Sequence, residues 1–300
     1  MNTESPDSQP ASLANQPWPA LQLPQVAADP SASQARNSRP FRQLESSLDP
    51  DSWTAFYELA TEELAHLVEH LSRAGSRPVW QPVPVEVKTS LESPLPWEPQ
   101  PAEQVCQEIR STILPWCLGN THPRFFGWVH GTGTAGGMLA EMFAGAMNAN
   151  VGGREHAPIY VERAVVEWCR QIFGFPGTAS GLLLSGTSMA TLVALSIARN
   201  HLAPIDLRQE GIAGLRQRMI VYTSAESHCS VVKAVELLGL GRKSLRSIPV
   251  NHSHQMDLDQ LKNKIQSDRK RGDIPFCVVG TAGTVDVAAV DDLNTLATIC

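Results

Sequence analysis

Apolar residues in the second half of the chain alternate between short solid runs and longer periodic stretches. GLLLS (181–185), MIVYT (219–223), LRSIPV (245–250) and FCVVG (276–280) are the solid runs. Each leads into a helical pattern: MATLVALSIARNHL after the first, then stretches near 228–239, 257–270 and 290–300. A run of four to six apolar residues feeding a helix is the pattern of a strand buried on both faces with a crossover helix. Two more helices are predicted upstream, over about 135–150 and 158–173. The fold class is α/β with a mostly parallel sheet. Ligands in such sheets bind beyond the carboxyl ends of the strands, which directs attention to the turns 185–188, 224–228 and 280–284.

The first half reads differently. Fourteen of the 22 prolines fall within residues 1–100. Residues 1–48 combine Pro, Ser, Gln and Ala with few charges and no periodic apolar face. Such a segment cannot bury enough surface to offset its ordering entropy, so a disordered tail is predicted. Phe56, Leu59, Ala60, Leu64, Leu67, Val68 and Leu71 recur at three- and four-residue steps, one stripe of an amphipathic helix that stops before Gly75 and Pro78. The proline-rich stretch over 79–101 predicts an extended connection with neither strand nor helix, and a second helix is expected from about Pro101 to Cys117. The domain division expected is a tail (1–48), a helical and extended segment (49–121) and a ligand-binding α/β unit (122–300).

Composition narrows the function classes. With 24 Lys+Arg against 30 Asp+Glu the formal charge is −6, which argues against a nucleic-acid or anionic-membrane partner. No run approaches the ~18 apolar residues of a membrane span. Met1–Pro10 shows no basic region followed by an apolar one, so no secretory signal is expected. The six cysteines contain no C-x-x-C pair and read as reduced thiols in a cytoplasmic protein.

Four segments carry candidate chemistry. Ser185-Gly186-Thr187-Ser188 joins a strand pattern to a helix. Gly186 permits close backbone approach, and two hydroxyls with free N–H groups at a helix start suit a phosphate; a plain N-cap would use the same residues. The turn matches neither the triphosphate loop nor the dinucleotide fingerprint. Ser224-Ala225-Glu226-Ser227-His228 puts a histidine at the mouth of the sheet, in either a capping or a functional role. Gly280-Thr281-Ala282-Gly283-Thr284 places small residues and hydroxyls at another strand end, where an ordinary turn would also fit. His122-Pro123-Arg124-Phe125-Phe126-Gly127-Trp128-Val129-His130 combines two imidazoles and a guanidinium with three aromatics, either core or a recess for an anionic or amino-acid ligand. His66-Leu67-Val68-Glu69-His70 matches H-x-x-E-H. It lies on a solvated helix with no evident third ligand, so no metal site is expected, and His252-Ser253-His254 is expected to be a solvated polar loop.

Together these segments resemble the pyridoxal-phosphate-dependent amino-acid decarboxylases of the glutamate, aromatic-amino-acid and cysteine-sulfinate type. The resemblance runs from about Asp51 to Cys300 and rests on HPRFFGW (122–128), MLAEMFAGAMNAN (138–150), AP…VE…W (157–168), SGTSMATLVALSIAR (185–199), SAESHCSV (224–231) and PFCVVGTAGTVDVAAVDDL (275–293) in order. It implies a partial type I fold of the pyridoxal-phosphate-dependent transferases and pyridoxal 5′-phosphate as cofactor. It also implies a homodimer when full length, and conversion of an L-amino acid to an amine and CO₂. By the same resemblance, Gly186, Thr187 and Ser188 would bind the cofactor phosphate. His228 would stack on the pyridine ring and act in catalysis, Thr281 would support the aspartate that pairs with the ring nitrogen, and Trp128 and His130 would face the substrate side chain.

The family's ring-nitrogen aspartate and its histidine-preceded, aldehyde-holding lysine come later than Cys300. None of Lys88, Lys233, Lys243, Lys262, Lys264 and Lys270 follows a histidine, and Asp286, Asp291 and Asp292 belong to another stretch. The resemblance therefore implies the front part of a decarboxylase, inactive by itself. Alternatives are a carbon–carbon lyase or aldehyde-forming relative, and a non-catalytic remnant that binds phosphate compounds or a partner subunit. The substrate expected is an acidic or small polar amino acid.

Overall fold

A computed structural model describes residues 49–131, 133–153 and 155–300. The tail expected over 1–48 lies outside the described residues. The chain divides into two units, Met1–Glu62 and Glu63–Cys300. The helices, in chain order, are α1 (Trp53–Ser72), α2 (Val85–Leu91), α3 (Ala102–Glu108), α4 (Ala135–Met147), α5 (Ala157–Ile172), α6 (Thr187–Leu202), α7 (Leu207–Glu210), α8 (Ser230–Leu237), α9 (Leu258–Lys270) and α10 (Leu293–Ile299). The strands are β1 (Met219–Ser224), β2 (Leu245–Ile248) and β3 (Ile274–Val279).

The sheet is parallel in the order β2-β1-β3, as the solid apolar runs predict. β1 is central and buried along its whole length. Alternate side chains feed two cores. Met219 and Val221 pack with Leu195 of α6, with Val231, Ala234 and Val235 of α8, and with Phe276. Ile220 and Tyr222 pack with Ile248, Met256, Leu261 of α9 and Leu296 of α10. Beneath the second core, Tyr222 donates its hydroxyl to Asp268 at 2.8 Å, and Arg246 meets the same carboxylate at 3.0 Å. Asp268 is fully buried, and these partners offset the cost of burying its charge.

Two expectations are corrected. GLLLS (181–185) is extended but not a strand: among the described residues no neighbouring ladder receives it, and a strand exists only as half of a pair. Its Leu183 N–H goes instead to Glu162 of α5 at 3.3 Å, and Leu182, Leu183 and Leu184 are exposed. The connection expected to be irregular contains α2, because Pro84 fixes the residue ahead of the helix while 85–91 are free of proline. The second upstream helix continues past α3 as a wide turn over Ile109–Ile113 and a tight one over Leu114–Trp116.

Burial is uneven. None of α1 to α5 holds a buried residue, and Phe56, Val68, Phe143, Trp168 and Phe173 are exposed. The apolar stripe of α1 forms as the sequence predicts, with Leu59, Leu64 and Leu71 half-buried and Phe56, Leu67 and Val68 exposed.

Candidate functional site

β1 and β3 are in register at Thr223 and Val279, so the turns 224–228 and 280–284 leave the sheet at one edge. β2 ends there too, with Ser224 opposite Ile248. α6 reaches the same edge. Near its end, Arg199 donates to the Leu238 carbonyl at 2.8 Å, which ties the last turns of α6 to the end of α8. Because α8 starts just after the 224–228 turn and the two helices pack side by side, their N-termini share that edge. Counting back at about 1.5 Å per residue, α6 begins roughly 6 Å further along than α8.

The geometry of that end of α6 suits an anion. Gly186 has φ +118°, a conformation that L side chains rarely adopt, with open space around it. No side chain caps the helix, so the first N–H groups keep their donors free, and the hydroxyls of Thr187 and Ser188 are exposed beside them. The N-cap reading of this turn does not hold, since the cap position is Gly186 itself. The N-terminus of a four-turn helix with two free hydroxyls fits a phosphate group.

His228 is exposed at the mouth of the sheet. The Ser230 N–H donates to its Nδ1 at 3.2 Å, and the Ser230 hydroxyl lies 2.9 Å from the same atom. An Nδ1 that accepts puts the proton of the neutral ring on Nε2, a tautomer assigned from the bonding pattern. Cys229 is exposed alongside, its sulfur 3.9 Å from Nε2.

Thr281 is held by its backbone. Its N–H donates to Asp291 Oδ2 at 2.8 Å, and its carbonyl accepts the Asp291 N–H at 2.9 Å. Asp291 Oδ1 accepts the Met256 N–H at 2.7 Å, so one carboxylate pins two strand-end loops. Asp291 was not singled out for this from the sequence. The signal was the Asp291-Asp292 pair: Asp292 caps α10 through the Thr295 N–H, which leaves Asp291 for another task. Gly280 is needed just before, since a Cβ there would lie 2.8 Å from Leu293 and 2.9 Å from Leu296.

The polar loop 251–256 is more than solvated. Gln255 donates to the Val290 carbonyl at 2.7 Å, and His254, at φ +58°, approaches Glu226 at 3.6 Å. It joins the His228 turn to the Thr281 loop.

Beyond the buried His122, the 122–130 segment is not core. Phe126 and Trp128 are 93% and 68% exposed. Trp128 adopts φ +52°, strained for a bulky residue. Its ring sits 5.6 Å from His130, and Phe125 sits 5.8 Å from the same imidazole. Among the described residues no hydrogen bond joins this cluster to the strand-end turns, whereas the turns bearing Thr187, His228 and Thr281 share one edge. His70 of the H-x-x-E-H stretch lies against Arg77.

The conserved-domain model of the pyridoxal-dependent decarboxylases matches residues 84–300. The chain belongs to this family. It is 27% identical over 259 residues to an aromatic-L-amino-acid decarboxylase of Bacillus atrophaeus, covering 81% of this chain and 51% of that protein. It is 30% identical over 219 residues to a glutamate decarboxylase of Drosophila melanogaster, covering 72% and 42%. Among solved structures, mouse CSAD superposes with TM-score 0.75 at 26% identity, covering 83% of this chain and 52% of that one. Oryza sativa TDC with PLP and tryptamine gives 0.74 at 26%, covering 84% and 54%. The fold is that of the type I pyridoxal-phosphate decarboxylases, and the chain spans about half the length of these relatives. No described helix is long and apolar enough to cross a membrane.

Proposed function

We propose that the polypeptide containing these residues is a pyridoxal-phosphate-dependent carboxy-lyase that converts an L-amino acid to its amine and CO₂. The observation that carries this reading is the gathering of three turns at one sheet edge: an uncapped helix start at Gly186–Ser188, an exposed His228, and a Thr281 pinned by Asp291.

In this reading the first N–H groups of α6 and the Thr187 and Ser188 hydroxyls bind the cofactor phosphate, with Gly186 leaving room for its oxygens. His228 covers a face of the cofactor ring, and its Nε2–H, kept in place by Ser230 at Nδ1, orients the substrate carboxylate for loss. Thr281, fixed by Asp291, supports the ring-nitrogen side. Trp128 and His130 supply side-chain specificity. The bound cofactor supplies a carbonyl for the substrate amine and a ring that accepts the electrons released with CO₂. The residues here contribute binding and orientation.

No lysine of these residues follows a histidine or lies in the three turns, so the 300-residue chain by itself is expected not to turn over. Our reading takes the protein to be cytoplasmic and, when full length, a homodimer; the exposed apolar residues of α1, α4 and α5 support burial against a second copy. The relatives' names include both aromatic and acidic amino-acid decarboxylases. Our reading prefers an acidic or small polar substrate.

The test is release of ¹⁴CO₂ from carboxyl-labelled L-glutamate, L-aspartate, L-cysteine sulfinate, L-tryptophan and L-tyrosine by the polypeptide isolated from its natural source. Release with an acidic substrate supports the reading. Aldehyde in place of amine would favour an oxidative relative. No release together with no borohydride-fixed cofactor would favour a non-catalytic remnant.

A further inference from the structure

Away from the strand-end turns, the unit Glu63–Cys300 holds a half-open cavity of about 640 Å³ between the end of α1, the 114–122 segment and the start of α4. This is within the range of pockets that hold small molecules. Residues 186–188, 228 and 281 do not line it. The walls are mainly aliphatic, with Leu67, Leu71, Leu114, Leu118 and Met138 among them.

Two cation-side donors interrupt that lining. Arg77 is half-buried, and among the described residues no carboxylate pairs with it. Its guanidinium lies against the His70 ring, whose pKa is lowered first by burial and then by the Arg77 charge. The neutral imidazole leaves the positive charge of Arg77 uncompensated. Glu141, exposed, is the one acidic side chain among the described lining residues.

His122 is only 8% exposed. Its Nδ1 accepts the Arg124 N–H at 2.9 Å, so the neutral ring carries its proton on Nε2. His122 lines the cavity, and its Nε2–H is the ring donor left for a ligand atom.

The backbone brings the two donors to one wall. A Cβ at Gly119 would overlap the Val79 carbonyl, and one at Gly75 would touch Pro123 at 3.4 Å. The 75–79 segment thus lies directly against 119–123, with Arg77 in the middle of the first and His122 next to the middle of the second.

We propose that this cavity binds a small monocarboxylate with an apolar body, the carboxylate held by Arg77 and His122 and the body against the leucine wall. Guanidinium and N–H donors match a carboxylate. The aliphatic walls exclude a bare, strongly hydrated ion as the best ligand.

The test uses the purified chain and 4-phenylbutyrate as probe, followed by calorimetric titration, with 4-phenyl-1-butanol and inorganic phosphate in parallel. Saturable one-to-one binding of the carboxylate is expected. The alcohol should bind more weakly by about tenfold or more, as should the carboxylate to Arg77→Met, the scale of one lost charged hydrogen bond. Phosphate should not compete, and His122→Phe should weaken binding without changing the far-ultraviolet dichroism. Equal binding of acid and alcohol, displacement by phosphate, or no saturable binding overturns the proposal. If Arg77→Met does not fold, the comparison of acid with alcohol on the unaltered chain decides it. Failure leaves the decarboxylase reading intact, because no residue of the strand-end turns takes part.

Discussion

Asp291 holds Thr281 from both sides: its carboxylate accepts the Thr281 N–H at 2.8 Å while its own N–H donates to the Thr281 carbonyl at 2.9 Å. With the second oxygen on Met256, this buried carboxylate fixes the loop beyond β3 relative to the loop beyond β2. Replacing Asp291 with Ala removes two charge-assisted hydrogen bonds and strands two N–H donors, a loss of about 2–5 kcal/mol. Urea unfolding measures it. A change under about 0.5 kcal/mol, the size of an ordinary surface substitution, would mean that the loops are held elsewhere.

Gly280→Ala is expected to destabilise by about 1–3 kcal/mol, because the added Cβ meets Leu293 and Leu296 inside ordinary contact distance. The effect should appear in thermal unfolding. Gly153, with nothing within 4 Å of an added Cβ, is the matched control and should tolerate alanine.

The cysteines should react unequally. Burial pushes the Cys277 thiol up to about 11, and the thiolate is the reactive form. Iodoacetamide at pH 8 should label exposed Cys229 well before Cys277, as read by peptide mass spectrometry. The reverse order would mean that β3 opens readily.

Tyr222 makes stability fall at high pH. Burial against the second core raises its hydroxyl to about 12, above the ordinary value near 10. A raised pKa means that the folded state keeps a proton which the unfolded chain loses. Its contribution is therefore complete below about pH 10 and lost as the pH rises towards 12. Tyr222→Phe should flatten that decline in a series of urea midpoints, while lowering stability at pH 8 through the lost bond to Asp268.

The sheet was legible because its central strand β1 is a solid apolar run buried on both faces and β3 is apolar throughout, while β2 contributes a shorter, half-buried stretch. GLLLS has the same composition and no ladder: a strand needs a neighbour, and that neighbour is not written in the strand. α2 was hidden by the prolines around it. His228 and Thr281 could be placed at strand ends and Thr187 and Ser188 at a helix start from local pattern, but their common edge depends on strand register and helix packing, which the sequence does not display. Asp291 escaped notice because its partners are backbone groups of Met256 and Thr281, one of them 35 residues distant.

The central claim divides the labour at the site: Thr187 and Ser188 hold the cofactor, and His228 orients the substrate. The decisive measurement is cofactor retention and turnover, side by side, in the natural polypeptide carrying Thr187→Ala with Ser188→Ala, or His228→Ala. The account predicts that the paired hydroxyl variant loses cofactor affinity by about tenfold or more, the worth of hydrogen bonds to a charged group, with turnover restored at saturating cofactor. His228→Ala should retain cofactor and lose turnover. Equal loss of both quantities in both variants would contradict the assignment of the two turns.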